Sequence, residues 1–523
     1  MKLLCRIARL SVASSLLAVA SLAGLPLREV RADSTSQPSP KEHRFWVEQL
    51  AGGLNQPWSM AWLPNGDLLI TEKFGGVRLF HGGKLEPEPL PGTPHAYQAG
   101  QSGLLDIALD PDFKKNRRVF ISYTEGTVKA NRGAIWRGRL TDNGFVEGVT
   151  IFRTTPDATQ FPFPIAGRLL FLPDKTLLFT SSDDEYRRPL VQKLDNDIGK
   201  ILRLDRNGVP PADNPFQGQP DARPEIFALG VRGPLGLMRD PRDGSIWETE
   251  NGPRGGDELN LIKPGANYGW PITTYGTEYS GQPITDKREA PGIESPIAYW
   301  VPSISPSGLT LNLGDRYPLW KGDFFSGALS GRQLRRIRVH DGKVVEQEVL
   351  LADLNERIRD VRMGPDGYLY LLTDNPYGRL LRLRWGQPAG AALARVAKPL
   401  NEDTARSIFM AMASPPATRP GDATHGEALF AQRCGSCHAV DRGAAGTIGP
   451  NLAGLFGRKA GEGGGNVSEA MRHSGIVWNE ASLNLFLSAP QAKVPGTIMA
   501  AAPVADGQAR ADIIAYLRAG GLP

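Results

Sequence analysis

The sequence predicts an all-β, six-bladed β-propeller followed by a small all-α domain, and three observations support this prediction. A strand, a turn containing Pro and Asp or Asn, and a second strand recur along the first two thirds of the chain. Two cysteines and a histidine lie close together near the C-terminal end. A connector rich in Gly, Ala and Pro separates the two regions. With 523 residues, the chain is too long for a single hydrophobic core.

The repeated unit is a β-hairpin whose turn chemistry fixes its register. With their connections, the units span roughly 50 to 60 residues, as expected for propeller blades. A hairpin cannot bury both faces alone, so the units must stack around an axis. A β-sandwich is the alternative, although it seldom repeats the same turn. The gap after the fourth copy leaves room for a degenerate copy at 309–331, and the turn prolines are Pro64, Pro111, Pro173, Pro241 and Pro365.

Residues 1–32 have the pattern of a secretory signal. A basic start is followed by an uncharged apolar run from 10 to 27, and small residues precede Asp33. We expect cleavage before Asp33 and export to the periplasm; an uncleaved membrane anchor is the alternative. No later stretch is apolar enough to span a membrane, so no stable membrane insertion is expected.

Charge and cysteine content exclude two other classes of protein. The net charge is only +5 and there is no Lys/Arg tract, so nucleic-acid binding is not expected. The three cysteines are Cys5, inside the signal, and Cys434 and Cys437, which share one motif. A structural disulfide framework is therefore not expected.

The domain boundaries follow from composition. The propeller is predicted over 43–386, the connector over 387–420 and the helical domain over 421–523, with a helical turn allowed at 401–413. Asp422 is placed to cap a helix that leads to the cysteines. In the last helix, Ile513, Ile514 and Leu517 share one face.

Cys434, Cys437 and His438 form a Cys-x-x-Cys-His motif, which predicts one covalently attached c-type haem. Two thioether bonds need two thiols one turn apart, and the adjacent histidine binds the iron. A redox dithiol or a zinc site is the alternative, but further Cys or His at suitable spacing is missing.

The segments Gly449-Pro-Asn-Leu and Pro495-Gly-Thr-Ile-Met resemble two loops of the class I cytochromes c. Met499 is the predicted sixth ligand, with Met471 and His473 as the other candidates. Thioether ligation raises the haem potential relative to two histidines, which suits an electron acceptor.

Residues 45–385 resemble the soluble aldose sugar dehydrogenases of the glucose/sorbosone dehydrogenase family. These proteins are six-bladed propellers that use pyrroloquinoline quinone (PQQ). The clearest similarity lies in GQSGLLDIALDP (100–111), PEIFALGVRGPLG (224–236), ENGPRGGDELNLI (250–262), PGANYGWP (264–271) and RIRDVR (357–362).

The resemblance implies a PQQ site with several guanidinium groups, because PQQ carries three carboxylates. Arg357 and Arg359 are two positions apart, so on a strand they point the same way. By resemblance these two, Arg232 and Gln101 contact PQQ; the alternative is that the arginines lie at exposed strand ends.

The resemblance also implies calcium, which binds carboxylate and carbonyl oxygens. In the family, carbonyls matching Gly252 and Pro253 hold the calcium that polarises PQQ. Asp257, Glu258 and Tyr268 match residues around a second, structural calcium. The alternative for the two acidic residues is a solvated turn.

The catalytic base of the family is a histidine just before a Gly-Arg-Leu segment, and here Pro164 stands at that position. The family's Arg-Asn pair is also changed, to Arg232-Gly233. Asp183, which matches an acidic residue of the same pocket, is the predicted substitute base. His95 is a second candidate, and a loss of sugar oxidation is the third reading.

These features predict a periplasmic quinohaemoprotein dehydrogenase. It would oxidise an aldose, or a related alcohol or aldehyde, and pass electrons to its own haem and then to a soluble cytochrome or terminal oxidase. The alternative is a non-catalytic electron-transfer or ligand-binding protein that has lost sugar oxidation.

Overall fold

The computed structural model describes residues 45–98, 101–127, 130–158, 166–183, 187–400, 417, 419–435, 437–441, 449–462, 467–488, 490–494, 497–499, 504 and 506–520. The predictions for the signal at 1–32, for the helical turn at 401–413 and for Pro164 lie outside these residues.

The N-terminal part forms a six-bladed β-propeller, as the sequence predicts. Each blade is a four-stranded antiparallel sheet. The first strand of every blade contacts the first strands of its two neighbours, and β22 contacts β2, which closes the ring. The strands are β1 (Phe45–Leu54), β2 (Pro57–Trp62), β3 (Leu68–Glu72), β4 (Val77–His81), β5 (Lys84–Leu85), β6 (Leu104–Leu109), β7 (Arg118–Thr127), β8 (Ala130–Thr141), β9 (Gly144–Arg153), β10 (Leu169–Phe171), β11 (Leu177–Ser181), β12 (Lys200–Leu204), β13 (Ile226–Leu229), β14 (Pro234–Arg239), β15 (Ile246–Glu250), β16 (Asp257–Ile262), β17 (Ala298–Trp300), β18 (Pro306–Leu311), β19 (Phe324–Ala328), β20 (Gln333–His340), β21 (Lys343–Leu350), β22 (Ile358–Met363), β23 (Leu369–Thr373) and β24 (Gly378–Trp385).

The predicted hairpins are the first two strands of the blades. The five turn prolines lie between β2 and β3, β6 and β7, β10 and β11, β14 and β15, and β22 and β23. A one-turn helix, α1 (Phe113–Asn116), lies in the second of these turns. The degenerate copy expected at 309–331 is the β18–β19 pair, so the count of six blades is confirmed.

The last blade is closed by the N-terminal strand. β1 pairs antiparallel with β24, from Phe45 opposite Trp385 to Leu54 opposite Gly378. This pairing ties the two ends of the propeller together and covers a strand edge that would otherwise be open.

Apolar side chains fill the space between neighbouring blades. Leu69 of the first blade packs with Ile107 of the second, and Trp247 of the fourth lies 4.8 Å from Phe324 of the fifth. Near the axis, ion pairs to buried carboxylates join blades that are far apart in sequence: Arg168 with Asp360 at 2.9 Å, and Arg362 with Asp106 at 2.7 Å. These ion pairs therefore tie the last blade to the second and third blades.

The C-terminal domain is helical, with α2 (Ala423–Arg433), α3 (Glu469–Arg472), α4 (Glu480–Ser488), α5 (Pro490–Lys493) and α6 (Gly507–Ala519) among its described residues. Asp422 caps α2 by accepting from the backbone N–H groups of Thr424 and His425, as predicted. Ile513, Ile514 and Leu517 of α6 are buried. In the described part of the chain, no helix is both long enough and apolar enough to cross a membrane.

Candidate functional site

A cavity of about 550 Å³ lies in the C-terminal domain. Its lining includes Cys434, Cys437, His438 and Met499. The remaining wall is mainly apolar, with Phe430, Leu455, Trp478, Phe486 and Ile513 among its residues. A large apolar cavity lined by two thiols, an imidazole and a thioether fits a covalently bound haem.

The segment after the haem-attachment motif orients His438. The Nδ1–H of His438 donates to the carbonyl of Pro450 at 2.8 Å, which leaves Nε2 for the iron. A Cβ atom at Gly449 would lie 2.5 Å from Cε1 of this ring. The glycine therefore lets the backbone pass directly against the imidazole.

The candidates for the sixth haem ligand differ in position. Met499 and Met471 are half-buried and line the haem cavity. His473 is exposed, and its Nδ1 lies 3.0 Å from the carbonyl of Glu469 in α3. The structure thus favours a methionine over His473, and Met499 stays the predicted ligand.

In the propeller, Arg357 and Arg359 both reach one carboxylate. Arg357 Nη2 and Arg359 Nη2 each lie 3.0 Å from Asp374 Oδ2. Arg359 is 1% exposed, and its Nε and Nη1 have no hydrogen-bond partner among the described residues. The two arginines point the same way, as their spacing predicts, and the buried donors of Arg359 fit an anionic ligand.

A buried lysine joins this cluster. Lys73 is 2% exposed and lies at the end of β3, where Asp374, Arg359 and Arg357 act on its charge. Burial lowers the pKa of Lys73 to about 7; Asp374 opposes this shift, and the two arginines add to it. Burial by itself would raise the pKa of Asp374, but Arg359, Arg357 and Lys73 hold it well below its ordinary value.

A second polar group lies at the ends of the third and fourth blades. The backbone N–H of Asp183 donates to the carbonyl of Arg232 at 2.7 Å. Trp270 Nε1 donates to Asp183 Oδ2 at 3.0 Å, and the Arg232 guanidinium lies 5.5 Å from the Trp270 ring. Arg232 Nη1 also donates to the carbonyl of Asn251 at 2.7 Å. The structure therefore brings Asp183 and Arg232 together as buried neighbours.

Both polar groups occupy the same place in the repeat. Lys73, Asp183 and Asp374 each follow the second strand of a blade, while Arg232 and Arg357 each precede the first strand. Because those two strands are antiparallel, all these positions lie at one end of the propeller.

Comparison with known proteins gives the family of each of the two regions. Residues 54–382 match the family model described as Glucose / Sorbosone dehydrogenase, and residues 423–520 match that of Cytochrome c. The chain belongs to the glucose/sorbosone dehydrogenase family. It carries a cytochrome c domain in addition, and this combination makes it an oxidoreductase with haem c.

Aldose sugar dehydrogenase YliI of Escherichia coli is 40% identical over 64% of this chain and 92% of its own length. The crystal structure of the E. coli aldose sugar dehydrogenase in the apo form superposes with a TM-score of 0.62 at 40% identity, covering 65% of this chain and 99% of that one. The PQQ-bound aldose sugar dehydrogenase of Streptomyces coelicolor superposes with a TM-score of 0.52 at 27% identity, covering 65% of this chain and 98% of that one.

The other residues expected in the dehydrogenase site differ in their surroundings. Gln101 is exposed. The backbone at Gly103 lies directly against Lys73, because a Cβ atom at Gly103 would lie 2.2 Å from the Lys73 carbonyl oxygen. His95 is exposed to solvent, whereas Asp183 is buried beside Arg232. Of the two candidate bases, Asp183 has the better-defined surroundings.

The segment expected to bind calcium is largely buried, and the carboxylate of Asp257 is surrounded by protein donors. Each oxygen of the Asp257 carboxylate accepts two hydrogen bonds, from donors at Gly252, Ser303, Ile304 and Ser305 at 2.7 to 2.9 Å. Its lone pairs are therefore used to hold the loop that begins at Gly252. Asp257 thus positions this loop, and its place beside a structural calcium stays a prediction from the family resemblance.

Glu258 and Tyr268 lie in different surroundings. Glu258 is a buried neighbour of Glu248 and Glu250, and burial raises the pKa of all three carboxyls. The Tyr268 hydroxyl donates to the carbonyl of Leu261 at 2.8 Å.

Across the described ranges, no group of three or more His, Cys, Asp or Glu residues is arranged to hold a metal ion. The calcium sites, including the one at Gly252 and Pro253, stay a prediction from the family resemblance.

Sequence reasoning missed Lys73, Asp374 and Trp270. None of them belongs to a catalytic motif, and the groups that act on Lys73 and Trp270 come from other blades. The sequence did contain a signal for Lys73 and Asp374. Each is a charged residue that directly follows the apolar second strand of its repeat. An alignment of the repeats would have placed both at the same end as Arg357.

Proposed function

We propose that this oxidoreductase is a periplasmic quinohaemoprotein that oxidises an aldose sugar, or a related alcohol or aldehyde, and passes the electrons to its own haem c. The observation that carries the proposal concerns Arg359, which is buried in one cluster with Arg357 and Lys73: its Nε and Nη1 have no hydrogen-bond partner among the described residues. Buried donors of this kind need an acceptor, and a polycarboxylate such as PQQ supplies several.

Relatives support the choice of cofactor and substrate class. The E. coli relative is named an aldose sugar dehydrogenase, and the S. coelicolor structure is a PQQ-bound form. When bound, PQQ supplies an ortho-quinone that accepts two electrons from an oxidisable C–H bond. In this chain, Arg232, Arg357, Arg359 and Lys73 would hold it.

Asp183 is the residue that we assign to proton removal. Its carboxylate is buried and receives the Trp270 N–H, so its position is fixed. Arg232 lies beside it, and this carboxylate helps to raise the pKa of the Arg232 guanidinium, so the two groups form a charged pair. A base at this position takes the proton from the substrate hydroxyl while the C–H bond gives up its electrons.

One contact supports electron transfer within the chain. The Nζ of Lys493, at the end of α5, lies 4.3 Å from the ring centroid of Tyr377. Tyr377 lies three residues after Asp374, and Lys493 lies six residues before Met499. The cationic cluster of the propeller and the Met499 segment of the haem cavity are thus linked through short stretches of chain. This arrangement supports the haem as the first acceptor, with a soluble cytochrome or terminal oxidase as the next.

The periplasmic location rests on the secretory pattern of residues 1–32. Cell fractionation of the native protein tests this part. Haem-containing protein in the periplasmic fraction supports export, and haem-containing protein confined to the cytoplasm contradicts it.

Titration of the purified apoprotein with PQQ and calcium, with the haem absorption bands recorded after each addition of sugar, tests the activity. We expect haem reduction only when both PQQ and an aldose are present. If an alcohol or aldehyde reduces the haem and no sugar does, the substrate is an alcohol or aldehyde and not an aldose. Failure of PQQ to bind would contradict the dehydrogenase and favour a non-catalytic electron-transfer protein.

A further inference from the structure

A short hairpin, 277–283, is part of the connection between β16 and β17, and its first and last residues pair antiparallel. The N–H of Glu278 donates to the carbonyl of Gln282 at 2.8 Å, and the N–H of Gly281 donates to the carbonyl of Glu278 at 2.8 Å. Gly281 has a φ of 90°, the left-handed conformation that ends a three-residue hairpin loop. Tyr279 is the first residue of this loop, so its side chain starts from the tip of the hairpin.

Two contacts fix the 277–283 hairpin to the polar group at the ends of the third and fourth blades. Both Nη atoms of Arg188 bind the Glu278 carboxylate, with Nη2 at 3.1 Å from Oε2. The Tyr279 hydroxyl accepts from Nη2 of Arg232 at 3.3 Å. The two guanidinium carbons lie 5.4 and 5.5 Å from the ring centroid of Trp270. Two adjacent residues of the hairpin thus bind two arginines that share one indole ring.

Tyr279 places an exposed ring next to the residue that we assign to proton removal. The residue is 61% exposed, although its hydroxyl is bound to the buried Arg232. Trp270, beside that guanidinium, donates to the Asp183 carboxylate at 3.0 Å. An aromatic side chain that is held at its hydroxyl end and open along its ring offers an apolar face at a defined position.

A pyranose ring has the surface that such a face can bind. Its C–H groups form an apolar patch that packs against an aromatic ring, while its hydroxyl groups lie at the rim and bind polar side chains. We propose that Tyr279 is a substrate-binding residue whose ring stacks on the pyranose ring of an aldose beside Asp183. The inference rests on the proposed function, because it names a substrate contact in the same site.

Steady-state haem reduction by the full-length protein, loaded with PQQ and calcium, tests this role with glucose, galactose and xylose as probes. Tyr279→Ala removes the ring, and Tyr279→Phe keeps the ring but loses the hydroxyl that binds Arg232. Val345→Ala is the matched control, because Val345 is an apolar residue of β21 that is 59% exposed. Thermal unfolding of each variant checks that the propeller is folded.

We expect Tyr279→Ala to raise KM for the sugars about 5- to 30-fold, because a stacked ring contributes to substrate binding. The value of kcat should stay within about threefold, since the ring does not touch the reacting atoms. Tyr279→Phe should keep KM within about threefold of the wild type, because the stacking face remains. The Val345→Ala control should behave as the wild type.

A second measurement needs no turnover. In methyl β-glucoside a methyl group blocks the anomeric hydroxyl, so this pyranose can occupy the site without being oxidised there. Saturation-transfer difference NMR of the PQQ-loaded protein with this glucoside reports which ring protons contact the protein. We expect clear ring-proton signals with the wild type and Tyr279→Phe, and much weaker signals with Tyr279→Ala.

The outcomes separate this inference from the proposed function. A wild-type KM in Tyr279→Ala for every sugar would refute the stacking role. An equal rise of KM in Tyr279→Phe would also refute it, because the effect would then come from the contact with Arg232. If none of the sugars reduces the wild-type haem, the proposed oxidation of an aldose fails. In that case glucoside signals that depend on Tyr279 support the sugar site, and signals that do not depend on it refute the inference as well.

Discussion

Replacement of Asp374 with asparagine measures how strongly one carboxylate stabilises the cationic cluster. Asp374 is buried and its Oδ2 accepts hydrogen bonds from Arg357 and Arg359, with Lys73 as a third cation nearby. Asparagine keeps the shape of the side chain and removes its negative charge. The guanidinium groups of Arg357 and Arg359 then lose the carboxylate to which both donate.

The expected loss of stability is large. Removing one partner of a buried ion pair costs about 3–5 kcal/mol, because the remaining charge stays buried. A propeller of about 340 residues has an unfolding entropy of about 0.7 kcal/mol/K, so the melting temperature should fall by about 4–7 °C. The loss should be greatest below pH 7, since Lys73 is charged there and must be protonated without its counter-charge.

Differential scanning calorimetry of the full-length apoprotein is the assay, with haem absorbance recorded separately to follow the cytochrome domain. Asp315→Asn is the matched control, because Asp315 is 89% exposed and its ion pair with Lys321 lies on the surface. The control should change the free energy of unfolding by no more than about 0.5 kcal/mol. PQQ should restore part of the stability of Asp374→Asn by supplying negative charge. A melting temperature within a degree of the wild type would refute the role of Asp374 as the counter-charge.

Three further predictions concern proton removal and the haem. Asp183→Asn should lower the rate of haem reduction by sugar about 10²- to 10⁴-fold while PQQ binding persists, and an unchanged rate would exclude Asp183 as the base. Gly449→Ala should lower the haem content per chain, measured by haem absorbance, because the new methyl group meets the His438 ring at 2.5 Å; wild-type content would contradict this packing. Met499→His should lower the haem potential in a redox titration, and an unchanged potential would point to Met471 as the sixth ligand.

The hairpins and the haem site could be predicted because their signals are local. The turn around Pro64 lies between two adjacent strands, so its residues fix the pairing of β2 with β3. The haem motif is short because covalent attachment needs both thiols within one turn. Arg357 and Arg359 could be paired by the alternation of side chains along a strand.

The closure of the propeller and the charge network could not be predicted, because their partners are distant in sequence. The pairing of Phe45 with Trp385 joins the two ends of the propeller, and nothing near either residue specifies the other. Lys73 meets Asp374 only because the first and last blades are neighbours in the closed ring. Such contacts follow from the assembled ring and not from any one blade.

Asp257 illustrates a limit of reasoning from a motif. The family resemblance places Asp257 near a calcium, and the structure adds that its carboxylate holds backbone and hydroxyl donors. The sequence motif indicates that Asp257 has a defined role. Only the hydrogen bonds in the structure show that its carboxylate contacts its own loop.

Stopped-flow spectroscopy of the PQQ-loaded protein, mixed with an aldose at several protein concentrations, tests the transfer of electrons within one chain most directly. The account predicts haem reduction with a first-order rate that does not change when the protein is diluted tenfold. A rate that falls in proportion to protein concentration would show that electrons travel between molecules, and the absence of haem reduction would show that they do not reach the haem at all.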